Sequence, residues 1–157
     1  MAVKPDPAGY SGTPLWKKLG LKTGMIYALL NAPSHFISLL DGMPDGVMFP
    51  TSPKGSDAIH LFIVELKGVH EIAKLEKHLP PAIMLWVSWP KLASQLSKGL
   101  HEDDIRRAAL ACGLVDVKVC AVDKDWSGLK LMLRTSSPKR EAHADRMAAR
   151  LGHKTSP

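Results

Sequence analysis

The sequence predicts a three-layer α/β domain on a mostly parallel sheet with an antiparallel last strand. Three observations predict it. Short, almost wholly apolar runs at 25–30, 58–64 and 83–87 have the length of strands buried on both faces. Segments of helical periodicity separate later runs, as covering helices separate parallel strands. The last two strands are joined by too few residues for a helix, so they must run antiparallel.

Taken in order, residues 1–8 read as a disordered lead rich in Pro and small residues. Thr13-Pro14 reads as a helix start, with Thr13 as N-cap and Pro14 in the first turn. Leu15, Trp16 and Leu19 give that helix an apolar face, and Gly20 stops it. The first strand, Met25 to Leu30, ends at Asn31-Ala32-Pro33. Ser34 reads as the cap of a short helix to Leu40, and Val47 to Phe49 as a brief edge strand. The second strand spans Ala58 to Val64. Val69, Ile72, Leu75 and Leu79 then recur at helical steps until Pro80-Pro81.

The third strand, Ile83 to Val87, is ended by Ser88-Trp89-Pro90-Lys91 and followed by a connection over 92–100. The helix from Glu102 to Cys112 carries three acids in its first turn, where the helix dipole favours them, and Gly113 ends it. Val115 to Val122 alternates apolar with polar residues, as a half-exposed strand does. Residues 123–128 read as a turn, and Leu129 to Leu133 as the last strand. Residues 9–134 thus form one domain, and 135–157 a basic, flexible tail.

Composition bounds the function. The chain has 157 residues, 45% of them hydrophobic, and a formal charge of +6. From Arg134 onward six Lys or Arg and two acids give +4, leaving +2 for residues 1–133. A basic-surface argument for nucleic acid therefore rests on Lys139, Arg140, Arg146 and Arg150, with no aromatic side chain there to stack on bases. No apolar run reaches the length of a membrane span, and the first residues have no apolar signal-peptide core. The expected location is cytoplasmic. The two cysteines, Cys112 and Cys120, and the seven histidines show no metal-ligand spacing, so no metal is expected.

A resemblance enters at four stretches: GYSGTPL at 9–15, LNAP at 30–33, LWVSWPK at 85–91 and GLVDVKVCAVD at 113–123. They resemble a family of small bacterial proteins known only as a domain of unknown function, which brings no activity, cofactor or catalytic residue. The order of elements resembles the Rossmann-like methyltransferase fold. In those enzymes a glycine-rich loop follows the first strand, and an acid at the end of the second strand holds the cofactor ribose. Here the loop is Asn31-Ala32-Pro33-Ser34-His35-Phe36, without glycine until Gly42. Proline has no N–H to donate and side chains fill space that glycine leaves open. A standard S-adenosylmethionine site is therefore not expected, and the cofactor is unknown.

In an open parallel sheet, ligands bind beyond the carboxyl ends of the strands. That rule collects Asn31, Ser34, Glu65, Ser88, Trp89, Lys91, Asp123, Trp126 and Ser127 as ligand-binding candidates. Tryptophan would stack on a flat ligand and Lys91 would neutralise an anion. Trp86 and Trp89 fall on opposite faces, so at least one is core. The expectation is a Rossmann-like binding protein for a small ligand or protein partner. The alternatives are an enzyme with a non-standard cofactor site and a nucleic-acid accessory protein acting through the tail. No catalytic residue is assigned.

Overall fold

A computed structural model of the chain describes residues 12–77, 79 and 83–133. The expected lead and tail, including Lys139, Arg140, Arg146 and Arg150, lie outside the described residues. The chain runs α1 (Leu15–Leu19), β1 (Tyr27–Leu30), a 3-10 turn (Ile37–Leu40), β2 (Ala58–Phe62) and a second 3-10 turn (Leu66–Val69). It continues through α2 (His70–Glu76), β3 (Met84–Pro90), α3 (Glu102–Ala111), β4 (Leu114–Ala121) and β5 (Trp126–Leu133).

The five strands form one sheet in the order β1-β2-β3-β5-β4. β1, β2 and β3 are parallel, and β5 runs antiparallel between β3 and β4. β4 therefore points the same way as β1 to β3. Four strands end at one edge, which is where the chain's candidate residues gather.

Alternation along each strand divides the core in two. Ala28, Ile59, Leu61, Leu85, Val87, Trp89, Leu129 and Leu131 face α2 and α3, packing on Ile72, Ile105 and Ala109. Tyr27, Phe62, Trp86 and Trp126 face α1 and the first 3-10 turn, packing on Leu19, Phe36 and Leu40. Trp86 and Trp89 thus do lie on opposite faces, and both are core. The Trp86 indole also donates to the Leu19 carbonyl at 3.0 Å, tying α1 to the sheet.

Several boundaries differ from the expectations. Pro14, not Thr13, is the N-cap of α1, and no side chain caps that helix. Residues 34–40 make only a 3-10 turn from Ile37. β3 reaches Pro90 and β5 begins at Trp126. The pairs Ser88 with Gly128 and Trp89 with Ser127 are therefore ladder positions, where the sequence reads a loop and a turn. The cause is cross-strand pairing with β5, which carries the strand through Ser88 and on to Pro90, residues of low strand preference.

The expected edge strand survives as one bridge between Ile26 and Met48. Tyr27 and Leu29 donate to the carbonyls of Met48 and Pro50 at 2.8 Å each, which caps the outer edge of β1. At the other edge β4 is irregular: its register shifts between Asp116 and Lys118, a bulge at Val117. Asp116 opposes Leu131 and Lys118 opposes Lys130, residues on opposite faces of β5. Asp116 accordingly meets Arg106 of α3, and Lys118 meets the carbonyl of Lys18 in α1. No helix among the described residues is long and apolar enough to cross a membrane.

Candidate functional site

The carboxyl edge of the sheet is built around two loops that meet. Asn31 follows β1 with φ of 62°, a left-handed conformation that asparagine tolerates better than most residues. The chain thus makes there the bend that glycine would make. It then carries Phe36 into the core, 1% exposed, edge-on to His60 at 5.1 Å and to Phe62 at 5.2 Å. The adjacent His35 reaches across the edge, and its Nε2 lies 2.8 Å from Asp123 Oδ2.

Asp123 is 5% exposed and shapes the turn between β4 and β5. Its Oδ1 accepts the backbone N–H groups of Asp125 and Trp126, each at 2.8 Å. Two carboxylate oxygens therefore hold the turn and the loop after β1 together. Asp123 is a structural clasp, and it makes no contact with Glu65 or Lys91 of the kind an acid–base set requires. Glu65 instead pairs with Lys67 at 3.4 Å on the surface.

Three more candidates prove to be core. Trp89 is 4% exposed on the α2/α3 face, too deep to stack a ligand on its ring plane. Trp126 is 5% exposed and edge-on to Phe62 at 5.3 Å, and its buried indole nitrogen has no hydrogen-bond partner among the described residues. Ser88 is fully buried and bonds His60 Nε2 at 2.6 Å, while His60 Nδ1 bonds the Tyr27 hydroxyl at 2.7 Å. This hydroxyl–imidazole–hydroxyl chain spans β1, β2 and β3. Burial drives the His60 pKa down to about 3, so the ring is neutral. With no exposure to solvent, the chain fixes strand register and is in no position to meet a substrate.

What remains open at the edge is a cleft of about 430 Å³ beside β3 and α3, lined by Trp89, Lys91, Leu92, His101, Glu102, Asp103 and Ser127. At the start of α3 the Asp104 backbone N–H donates to the His101 carbonyl at 3.0 Å, and the Asp104 carboxylate accepts the His101 backbone N–H at 2.9 Å, while the His101 residue lines the cleft. Glu102 and Asp103 both pair with Arg106. The cleft lining thus combines an ammonium, an imidazole and a hydroxyl with two carboxylates that are paired to Arg106. Among the described residues Lys91 is the one lysine of this lining, and the two acids give the cleft both signs of charge. Asn31 and Ser34 are exposed, outside this lining.

Of the sequence candidates, Trp89, Lys91 and Ser127 line one cleft, and the residues that sequence reasoning did not single out are His35, His60 and His101. His35 was one position from a chosen residue. His101 was legible as the residue before three acids of a helix start, but histidine is an uncommon cap. Among the described residues, no group of three or more His, Cys, Asp or Glu is placed to hold a metal. Cys112 and Cys120 both carry thiols, and burial pushes the Cys120 thiol up to about 11.

No family model matches the chain, and no curated protein sequence matches it. Solved structures do. A candidate methyltransferase from Thermoplasma acidophilum superposes with a TM-score of 0.50 at 11% identity, over 82% of this chain and 77% of that one. A SAM-dependent methyltransferase from Aquifex aeolicus gives 0.51 at 14% identity, over 76% of this chain and 88% of that one. The chain is similar to both in architecture, and what that similarity shows is the methyltransferase-like Rossmann fold.

Proposed function

We propose that the chain is a binding protein on a methyltransferase-like scaffold that takes a small polar ligand at the carboxyl edge, in the Lys91–His101–Ser127 cleft. The observation that carries this is the cleft itself. It has the volume of a small-molecule site and convergent polar groups, and it lies where open α/β sheets bind ligands. In this reading the chain does not perform standard S-adenosylmethionine-dependent methyl transfer. The support is local packing: the loop after β1 carries Pro33 and seats Phe36 on His60 and Phe62, while His35 is clasped to Asp123. Those side chains occupy the ground on which a nucleoside would rest. Among the described residues one isolated bridge, Ile26 with Met48, lies beyond β1, in place of a second strand ending in a ribose-binding acid.

A second reading, capture of a protein segment at the same edge, is favoured by the exposure of Leu92 and Leu96 in the connection after β3. Membership of the small bacterial family is also proposed, on the four stretches that resemble it, as is a cytoplasmic location.

Thermal denaturation of the full chain tests the main reading. A ligand at about a hundred times its Kd adds about 2.7 kcal/mol. S-adenosylmethionine and S-adenosylhomocysteine are expected to leave the midpoint unchanged. Amino acids and other small zwitterions are the first probes, because the cleft carries both signs of charge. A saturable shift that disappears in Lys91→Gln supports the cleft. A strong shift with the adenosyl pair overturns the reading.

A further inference from the structure

We propose that a second cleft, between α1 and the end of β4, binds the phosphate group of a small molecule. It measures about 560 Å³ and is lined by Thr13, Lys18, Lys118, Val119, Cys120, Ala121 and Ser127. Its chemistry differs from that of the edge cleft. Two lysines line it and, among the described residues, no carboxylate does. A phosphate carries up to two negative charges, and lysine serves phosphate as a point charge without demanding planar geometry.

Three observations converge on this site. First, the bulge at Val117 turns Lys118 toward α1, away from the face that its neighbour Asp116 shares with Arg106. Re-aiming one side chain is a recurrent use of a bulge. Second, the Lys118 ammonium is held in place by donating to the Lys18 carbonyl at 3.3 Å, and two of its three N–H groups remain to donate elsewhere. Third, both lysine charges act at one spot, since each favours the thiolate of Cys120 on the cleft floor. Burial outweighs them, so the thiol stays protonated and puts no competing negative charge beneath the ligand. Like charges that line one cleft disfavour each other, and an oxyanion bound there offsets that cost.

Ser127 lines both clefts, so the two approach each other at that residue. The phosphate site is nevertheless independent of the proposed function, because Lys91 and His101 take no part in it.

The test is titration of the full chain with inorganic phosphate and pyrophosphate at constant ionic strength, followed by backbone amide chemical shifts. Saturable shifts are expected at Lys118, Val119, Cys120 and Ala121. Lys18→Gln and Lys118→Gln are each expected to weaken binding about tenfold, or about 1.4 kcal/mol. Lys98→Gln, on an exposed loop, serves as the charge control and is expected to change little. Lys118 is exposed and Lys18 half-buried, neither in the core, so the variants are expected to fold, which circular dichroism checks. Three results would overturn the proposal: shifts that rise without saturating, equal affinity in the Lys18→Gln/Lys118→Gln double variant, or equal affinity for acetate. Shifts confined to residues around Lys91 would likewise move the anion site to the other cleft and sink this one.

Discussion

Acid should unfold this protein chiefly through His60. The imidazole is fully buried among Tyr27, Ser88 and the rings of Phe36, Phe62 and Trp86. Its pKa is lowered from 6.5 to about 3 by burial. Below pH 6.5 the unfolded chain takes up a proton that the folded chain refuses until about pH 3. The unfolded state then binds more protons, so stability rises with pH across that window and falls on acidification. Each unit is worth about 1.4 kcal/mol, so about 2.7 kcal/mol is lost between neutrality and about pH 4.5. That is a large share of the roughly 5–15 kcal/mol typical of a domain. The perturbation is His60→Gln, which keeps an amide able to bond Tyr27 or Ser88 but cannot titrate. Urea denaturation of both proteins from about pH 7 to about pH 4.5 isolates the term, because other groups titrate in both. The wild-type midpoint should fall more steeply. Parallel pH dependence would refute the reasoning, for it would mean that folded His60 gains its proton as easily as an exposed ring.

Two further outcomes follow from the edge. Trp89→Ala should cost about 3–5 kcal/mol in urea denaturation, because it empties a buried ring site between β3 and α3; a loss below about 1 kcal/mol would mean that the ring is peripheral. Asp123→Ala removes the acceptor of two backbone N–H groups and of His35, and should cost about 3 kcal/mol, whereas His35→Ala, whose side chain is 47% exposed, should cost about 1 kcal/mol. Equal losses for the two would assign the clasp to the loop contact alone.

The legibility of the fold came from particular runs. Ile59, Leu61, Leu85 and Val87 sit in continuous apolar stretches, and such stretches in a chain of this length have few other places to go. The glycine stop at Gly20 was readable because a left-handed turn there, at φ of 86°, suits glycine alone. The end of β3 was not readable. Ser88 and Pro90 carry little strand preference, and the conformation of residues 88–90 is set by Gly128, Ser127 and Trp126 on β5, which local sequence does not announce. The site suffered for the same reason. Extending two strands moved Ser88, Trp89 and Trp126 from a supposed rim into the core. The His35–Asp123 clasp joins residues 88 apart in sequence, which no periodicity can reveal.

The single unpaired residue of β4 works as a parity switch. Before it, odd and even positions address one pair of layers; after it, the assignments trade places. Removing Val117 would put the chain back in step, and every residue on one flank of the gap would then be delivered to the wrong layer. Either Leu114 would leave its place among the helix-facing apolar residues, or Cys120 would lose its place against Trp126. Length at this point is therefore as strictly specified as composition, and a one-residue deletion should do more harm than any substitution at the same position.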